Sequence, residues 1–126
     1  LNSGNSALAR MNYGLALSQN GEVDKAIAIY KEGLSINPNE PFIHNNLGII
    51  YARKKMYKEA EEEFKKELEI NDAFSDAYFN MGILYQQTGR DSLMVKSWEN
   101  AIKANPKDMG AKNAMERYYK KQTEKK

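Results

Sequence analysis

The feature that most constrains this chain is a period of 34 residues that runs through it without an insertion. Gly14, Gly48 and Gly82 keep that spacing, and so do Asn12, Asn46 and Asn80. The same interval relates Tyr30, Phe64 and Trp98; Leu34, Leu68 and Ile102; and Asn37, Asn71 and Asn105. Columns that are small, aromatic and aliphatic in turn demand one structural unit used three times. Each unit must be short enough that its apolar face is covered only by a neighbouring copy.

Within each period, apolar residues recur at i, i+3, i+4 and i+7 on both sides of a polar break, the pattern of two amphipathic helices. The spacing predicts first helices near residues 7–20, 41–54 and 75–88, and second helices near 23–36, 57–70 and 91–104. Pro41 suits the first turn of its helix, where its missing N–H would lack a partner anyway. Ser75 is expected to cap the helix it begins. Asn37, Asn71 and Asn105 stand where second helices end, and Asn tolerates the left-handed conformation that closes a helix. Pro38 and Pro106 then prevent continuation. The glycines lie inside helices, where each costs about 1 kcal/mol relative to Ala. Close approach of the paired helices is expected to offset that cost, with Ala26 and Ala60 as the small facing surface and Tyr30, Phe64 and Trp98 filling the space beside it. A last segment, residues 109–122, repeats the start of the period with Met115 and Tyr119 but lacks the glycine, and reads as a polar cap.

Composition removes most chemistry. The chain of 126 residues has no Cys and one His, so thiol catalysis, disulfides, Cys-based zinc sites and a His-based metal site are excluded. His44 reads as a packing residue. The seven serines have no base and orienter in view, and the repeat glycines form no phosphate loop. The run Glu59, Glu61, Glu62, Glu63, Glu67 and Glu69 is interleaved with Lys58, Lys65 and Lys66 and reads as a solvated, ion-paired face. The chain is therefore expected not to be an enzyme and to need no cofactor. Net charge is +2, but residues 103–126 hold eight basic residues against three acidic ones. Arg117, Lys120, Lys121, Lys125 and Lys126, with Tyr118 and Tyr119, allow weak contact with nucleic acid or an anionic surface, though a solvated tail accounts for them more simply. No apolar run reaches the length of a membrane span. A soluble chain is expected, with the cytoplasm favoured. It begins with Leu1 instead of Met, as expected of a processed form or a fragment that has lost a targeting signal.

Leu47, Gly48, Tyr51, Ala60 and Phe64 in the second period resemble the pattern of the tetratricopeptide repeat family, large-x-x-Leu-Gly-x-x-Tyr, then Ala-x-x-x-Phe, then Pro. Tyr13, Gly14, Leu17, Ala26, Tyr30 and Pro38 take those places in the first period, and Met81, Gly82, Tyr85, Trp98 and Pro106 in the third. Asp72, Met94, Glu67 and Arg10 depart from it. The resemblance implies an all-α fold, an α-solenoid of antiparallel helix pairs wound as a right-handed superhelix of seven helices. It divides the chain into an extension 1–6, repeats 7–40, 41–74 and 75–108, a capping helix 109–122 and a basic tail 123–126.

It also implies a noncatalytic scaffold that binds a peptide segment of a partner in a concave groove lined by the first helices. The residues placed there are Met11, Asn12, Phe42, Asn45, Asn46, Ile49, Arg53, Phe79, Asn80, Ile83 and Gln87. Leu8, Leu15 and Asp76 join them, and Asn113, Arg117 and Lys120 extend the face onto the cap. The Asn12, Asn46 and Asn80 column would pair with an extended backbone, and Phe42 and Phe79 would anchor side chains. Leu15 and Ile83 are expected to be taken up by packing between helices. Chaperone adaptors of the family clamp a C-terminal carboxylate with Lys, Asn, Asn, Lys and Arg. The matching positions here are Met11, Leu15, Asn46, Asp76 and Asn80, so that ligand is not expected. The alternative is self-association through the same apolar face. The identity of a protein partner is not written in these residues.

Overall fold

The computed structural model describes residues 6–125, which form seven helices and no strand. They fall into two compact units, Leu1–Ile70 and Asn71–Lys126. The first unit holds α1 (Ala7–Gln19), α2 (Val23–Ile36), α3 (Ile43–Arg53) and α4 (Tyr57–Ile70). The second holds α5 (Ser75–Gln87), α6 (Asp91–Ala104) and α7 (Met109–Glu124). Residues 1–5 of the expected extension and Lys126 of the expected tail lie outside the described residues.

Three helix pairs, α1 with α2, α3 with α4 and α5 with α6, are built on one contact. A Cβ added at Gly14 would overlap the Tyr30 ring, one at Gly48 the Phe64 ring and one at Gly82 the Trp98 ring. The aromatic of the second helix therefore lies directly across the glycine of the first, where the sequence suggested that the small alanines would do the facing. Tyr30, Phe64 and Trp98 are buried to within 1% of complete, and Ala26, Ala60 and Met94 are fully enclosed. In the first unit Met11, Leu17, Ala26 and Tyr30 continue into Ile43, Leu47 and Ile50, so the α1–α2 pair covers α3. The Indole Nε1–H of Trp98 donates to the Phe79 carbonyl at 3.2 Å, so the one buried indole is satisfied.

The turn inside each pair also repeats. Gly21 and Gly89 take φ of 86° and 74°, and 34 residues from each stands Lys55 at φ 63°. A left-handed conformation reverses the chain tightly enough for the next helix to fold back, and only glycine adopts it without a Cβ clash.

Helix starts are less regular than the sequence suggested. Pro41 lies outside α3, because Phe42 adopts φ 79° and ends any helical run before Ile43. The orphan N–H groups there are taken by a side chain from α4. Glu67 Oε2 accepts from the Phe42 N–H at 3.1 Å and Oε1 from the Asn45 N–H at 2.9 Å. Glu67 is only 1% exposed, so it is no part of a solvated face. A buried carboxylate is tolerable because both oxygens accept charge-assisted bonds at a helix N-terminus. Lys65 and Lys66 do pair with Glu61 at 3.2 Å and Glu63 at 3.7 Å, as the alternation predicted. Ser75 is already inside α5, and the N-cap position falls on Phe74, which supplies no side-chain cap. Ser6 and Asp108 are the side-chain caps, accepting from Ala9 and Gly110, each at 2.9 Å.

The asparagine column also works differently from the expectation. Asn37 and Asn105 have φ of −142° and −144°, not left-handed values. Their side chains, and that of Asn71, accept the N–H two residues on, from Asn39, Lys107 and Ala73 at 3.0, 3.2 and 3.0 Å. These are Asx turns, which divert the chain out of the helix without a positive φ.

Two substitutions test the pairing. Gly48→Ala gains about 1 kcal/mol of helix propensity and forfeits about 1–3 kcal/mol through overpacking against a rigid ring. We expect a net loss of stability, read as a lower midpoint in urea denaturation. Lys55→Gly relieves about 1–2 kcal/mol of left-handed strain and adds about 0.5–1 kcal/mol of chain entropy to be lost on folding. The denaturation midpoint is expected to rise.

Candidate functional site

The side chains assigned to a groove divide by burial. In the first unit Met11 and Asn45 are buried, Met11 in the core and Asn45 in the first turn of α3, and they present no surface. Leu15 is 39% exposed and so is not taken up by packing. Phe42 is 46% exposed at the left-handed corner before α3. Asn12 and Arg53 are exposed, while Asn46 and Ile49 are half-buried. Arg53 borders a hollow of about 240 Å³ with Ser18, Val23, Ile50 and Lys54. Across that border Lys54 pairs with Asp24 at 3.0 Å. Asn46 lies near the buried hydroxyl of Tyr30. Burial pushes the Tyr30 phenol above its usual pKa, and the Asn46 side chain opposes that shift.

In the second unit the geometry is more closed. Phe79 and Ile83 from α5 and Trp98 from α6 form part of the wall of a cleft of about 500 Å³, completed by Arg117, Tyr118 and Lys121 of α7. Phe79 is half-buried, its ring 6.4 Å from that of Trp98 and tilted by 30°. Gln86 lines the cleft, whereas Gln87 does not. Asn80 is half-buried outside the lining. The Tyr118 hydroxyl donates to Asp91 Oδ2 at 3.2 Å, which holds α7 against the start of α6 and occupies the acidic group at the rim. Arg117, Lys121 and Lys125 stand around the cleft with no ion-pair partner among the described residues.

Phe79, Ile83 and Arg117 were expected at the groove, Tyr118 and Lys121 only at the basic end, and Trp98 in the core; the structure brings all six to one cleft. Ala114, Arg117, Tyr118, Lys121 and Lys125 follow one another at helical spacing, so one face of α7 was visible in the sequence. That Trp98 reaches this cleft was not, since its column marks it as core.

His44 is more than a packing residue. Its Nδ1 lies 2.7 Å from Glu63 Oε1 and its Nε2 3.0 Å from the Pro38 carbonyl oxygen. Both neighbours are acceptors, an arrangement that favours the doubly protonated ring. Burial works to lower its pKa, but the bonds to Glu63 and Pro38 and the charges of Glu63 and Glu67 outweigh that, and the net shift is upward. A hollow of about 600 Å³ opens beside it, with Leu34, Pro38, Lys66 and Ile70 in its wall. No group of three or more His, Asp or Glu side chains among the described residues is arranged to hold a metal ion. No helix among them is long and apolar enough to cross a membrane.

Because the folded state raises the His44 pKa, its contribution to stability is complete below the unfolded value of about 6.5. It is lost as pH rises through the higher folded value. Denaturation midpoints followed upward from about pH 6.5 are expected to fall for the native chain, and His44→Gln is expected to remove that part of the slope.

Comparison with known proteins bears on what this geometry serves. A TPR repeat model matches residues 14–55, and two tetratricopeptide repeat models match residues 41–74 and 75–108. Tetratricopeptide repeat protein 28 of Mus musculus is 25% identical over 89 residues, covering 71% of this chain and 4% of that protein. The peroxisomal targeting signal receptor of Candida albicans is 32% identical over 74 residues, covering 59% of this chain and 12% of the receptor. The chain thus spans a small part of the curated relatives it matches. Among solved structures, the first TPR of Spaghetti (RPAP3) bound to HSP90 peptide SRMEEVD superposes with a TM-score of 0.85 at 22% identity, over 98% of this chain and 97% of that one. A likeness at that identity speaks for the fold, an all-α helical-repeat solenoid.

Proposed function

The chain belongs to the tetratricopeptide repeat family, and from that we propose that it is a noncatalytic protein-interaction module that holds a short segment of a partner protein. The cleft of the second unit carries this reading. It has apolar walls from Phe79 and Ile83, with the buried Trp98 behind them, and cations from α7 at its edge, which is the surface offered to a segment with apolar and acidic side chains. The structural neighbour bound to an HSP90 peptide supports peptide capture as the mode of binding. In the first unit Asn12, Phe42, Asn46 and Ile49 would contact the same partner or a second one.

The charge arrangement argues for a ligand other than a chaperone C-terminal carboxylate. At the clamp positions stand Met11, which is buried, Leu15, Asn46, Asp76 and Asn80. A carboxylate there would gain no cation and would meet the like charge of Asp76. The available cations are Arg117, Lys121 and Lys125, so acidic side chains within a segment fit where a terminal carboxylate does not. A single cleft of this size is expected to bind at about micromolar strength.

Fluorescence anisotropy with two labelled peptides tests this, one alternating Leu or Phe with Glu and one in which each Glu is Lys. The acidic peptide is expected to bind at about micromolar Kd, weakening as salt rises. Ile83→Asp is expected to reduce affinity about tenfold or more. Arg117→Glu combined with Lys121→Glu should remove both the preference and its salt dependence. Equal binding of both peptides would overturn the acidic preference, and no binding of either would overturn the cleft as the site.

A further inference from the structure

The internal repeat supplies its own control for the turn inside each helix pair, and one turn departs from it. Gln19, Asn20 and Gly21 follow one another at the end of α1, and Gln87, Thr88 and Gly89 at the end of α5, neutral in both cases and with glycine at the positive φ. The same places at the end of α3 hold Arg53, Lys54 and Lys55, all cationic and all exposed. Lys55 takes φ 63° where the other two turns have glycine, so a charged side chain is kept at a place the backbone disfavours. Strain present in one copy of a repeat and absent from the others is an outlier from which a functional role can be argued.

The end of α3 does not need these charges for its own sake. Cations complement the C-terminal dipole of a helix, but neither α1 nor α5 has a basic residue in its last turn. All three helices are closed by the same backbone bond, from Asn20, Lys54 and Thr88 to the carbonyl four residues back, at 3.0, 3.1 and 3.1 Å. Of the three cations only Lys54 meets an acid. Its Nζ is 3.0 Å from Asp24 Oδ1, and the Asp24 side chain is 89% exposed, so the pair is open to water and contributes little. Arg53 and Lys55 have no ion-pair partner among the described residues.

Arg53 and Lys54 also line the hollow of about 240 Å³ whose aliphatic part comes from Val23 and Ile50, with Ser18 beside them, all within the first unit. A pocket for a whole small molecule is larger, about 300–1,000 Å³; this one suits a single large apolar side chain. Lys55 follows directly, its Cα about 3.8 Å from that of Lys54. An aliphatic hollow edged by cations calls for an apolar side chain with acids next to it. A protein segment has that combination, whereas a nucleic acid strand offers anions without an aliphatic side chain.

We infer that Arg53, Lys54 and Lys55, together with the hollow of Ser18, Val23 and Ile50, form a docking point for an acidic protein segment that inserts one leucine-sized side chain. The incoming acids take Lys54 from Asp24 and pair with Arg53 and Lys55, and Lys55 is kept for that contact although glycine would make the turn more stable. The site belongs to the first unit and is independent of what the cleft of the second unit binds.

Amide NMR on a chain carrying Arg117→Glu and Lys121→Glu, which removes cations of the other cleft, tests this with a peptide that has one Leu between pairs of Glu. The Ser18, Val23 and Arg53 resonances are expected to shift on titration. Affinity is expected to fall about threefold with Lys55→Gly, although that variant unfolds at higher urea, and to rise about threefold with Asp24→Asn, which frees Lys54. Ser18→Leu, which fills the hollow, is expected to abolish the advantage of the Leu peptide over its Ala counterpart. Absence of shifts at those resonances would overturn the site, and unchanged affinity in Lys55→Gly would overturn the role of the strained cation. Equal affinity for the Leu and Ala peptides would remove the hollow from it. Tighter binding of a single-stranded oligonucleotide at the same resonances would overturn the protein segment as the occupant. Failure of acidic peptides to bind the cleft of the second unit would leave each of these readouts unchanged.

Discussion

Everything in the three helix pairs depends on an aromatic ring lying across a glycine. Tyr30 over Gly14, Phe64 over Gly48 and Trp98 over Gly82 bring each second helix within a ring's thickness of the first. No other residue permits it, since the atoms that a Cβ would meet belong to the ring itself. The contact explains why a helix former as poor as glycine is kept in mid-helix, and why rings of three different sizes are tolerated at one column. It also fixes the height of each second helix relative to its first, which sets where the turn between them must reverse. Gly21, Lys55 and Gly89 fall at one register for that reason.

Between neighbouring pairs of the first unit, a different device takes over. Phe42 turns the chain with a positive φ, and the N–H groups left at the start of α3 are met by Glu67 from within α4. His44, the second residue of α3, sits between Glu63 and the Pro38 carbonyl, and bonds to both raise its pKa. Two carboxylates of α4 thus organise the start of α3, one by capping and one by charge. This makes the corner at residues 37–45 a polar structure inside an otherwise apolar stack. It also answers the departure from the family pattern at Glu67, where a buried alanine has given way to a buried acid with two N–H partners.

Charge placement in the second unit gives the module its character. Arg117 and Lys121 of α7 and Lys125 just beyond it line a cleft with apolar walls, and the one acid in that lining, Asp91, bonds the Tyr118 hydroxyl. The helix expected as a polar cap thereby forms one wall of that cleft. The clamp positions of chaperone adaptors, by contrast, hold no cation in this chain.

The helix pairs, their limits to within two residues and the glycine–aromatic columns were legible in the sequence, because periodicity reports which residues share a face and which are small. What required the tertiary structure were partners far apart in sequence. Glu67 looks like any glutamate of an alternating Glu and Lys helix until Phe42 and Asn45 are set beside it, 25 and 22 residues away. His44 is a bulky residue at a bulky position until its two ring nitrogens meet acceptors. Met11 and Asn45 share a column and a helical face with Phe79, yet they are buried where Phe79 lines a cleft. A repeat tells which residues are equivalent, but each copy has its own neighbours, and burial, protonation and accessibility are properties of neighbours.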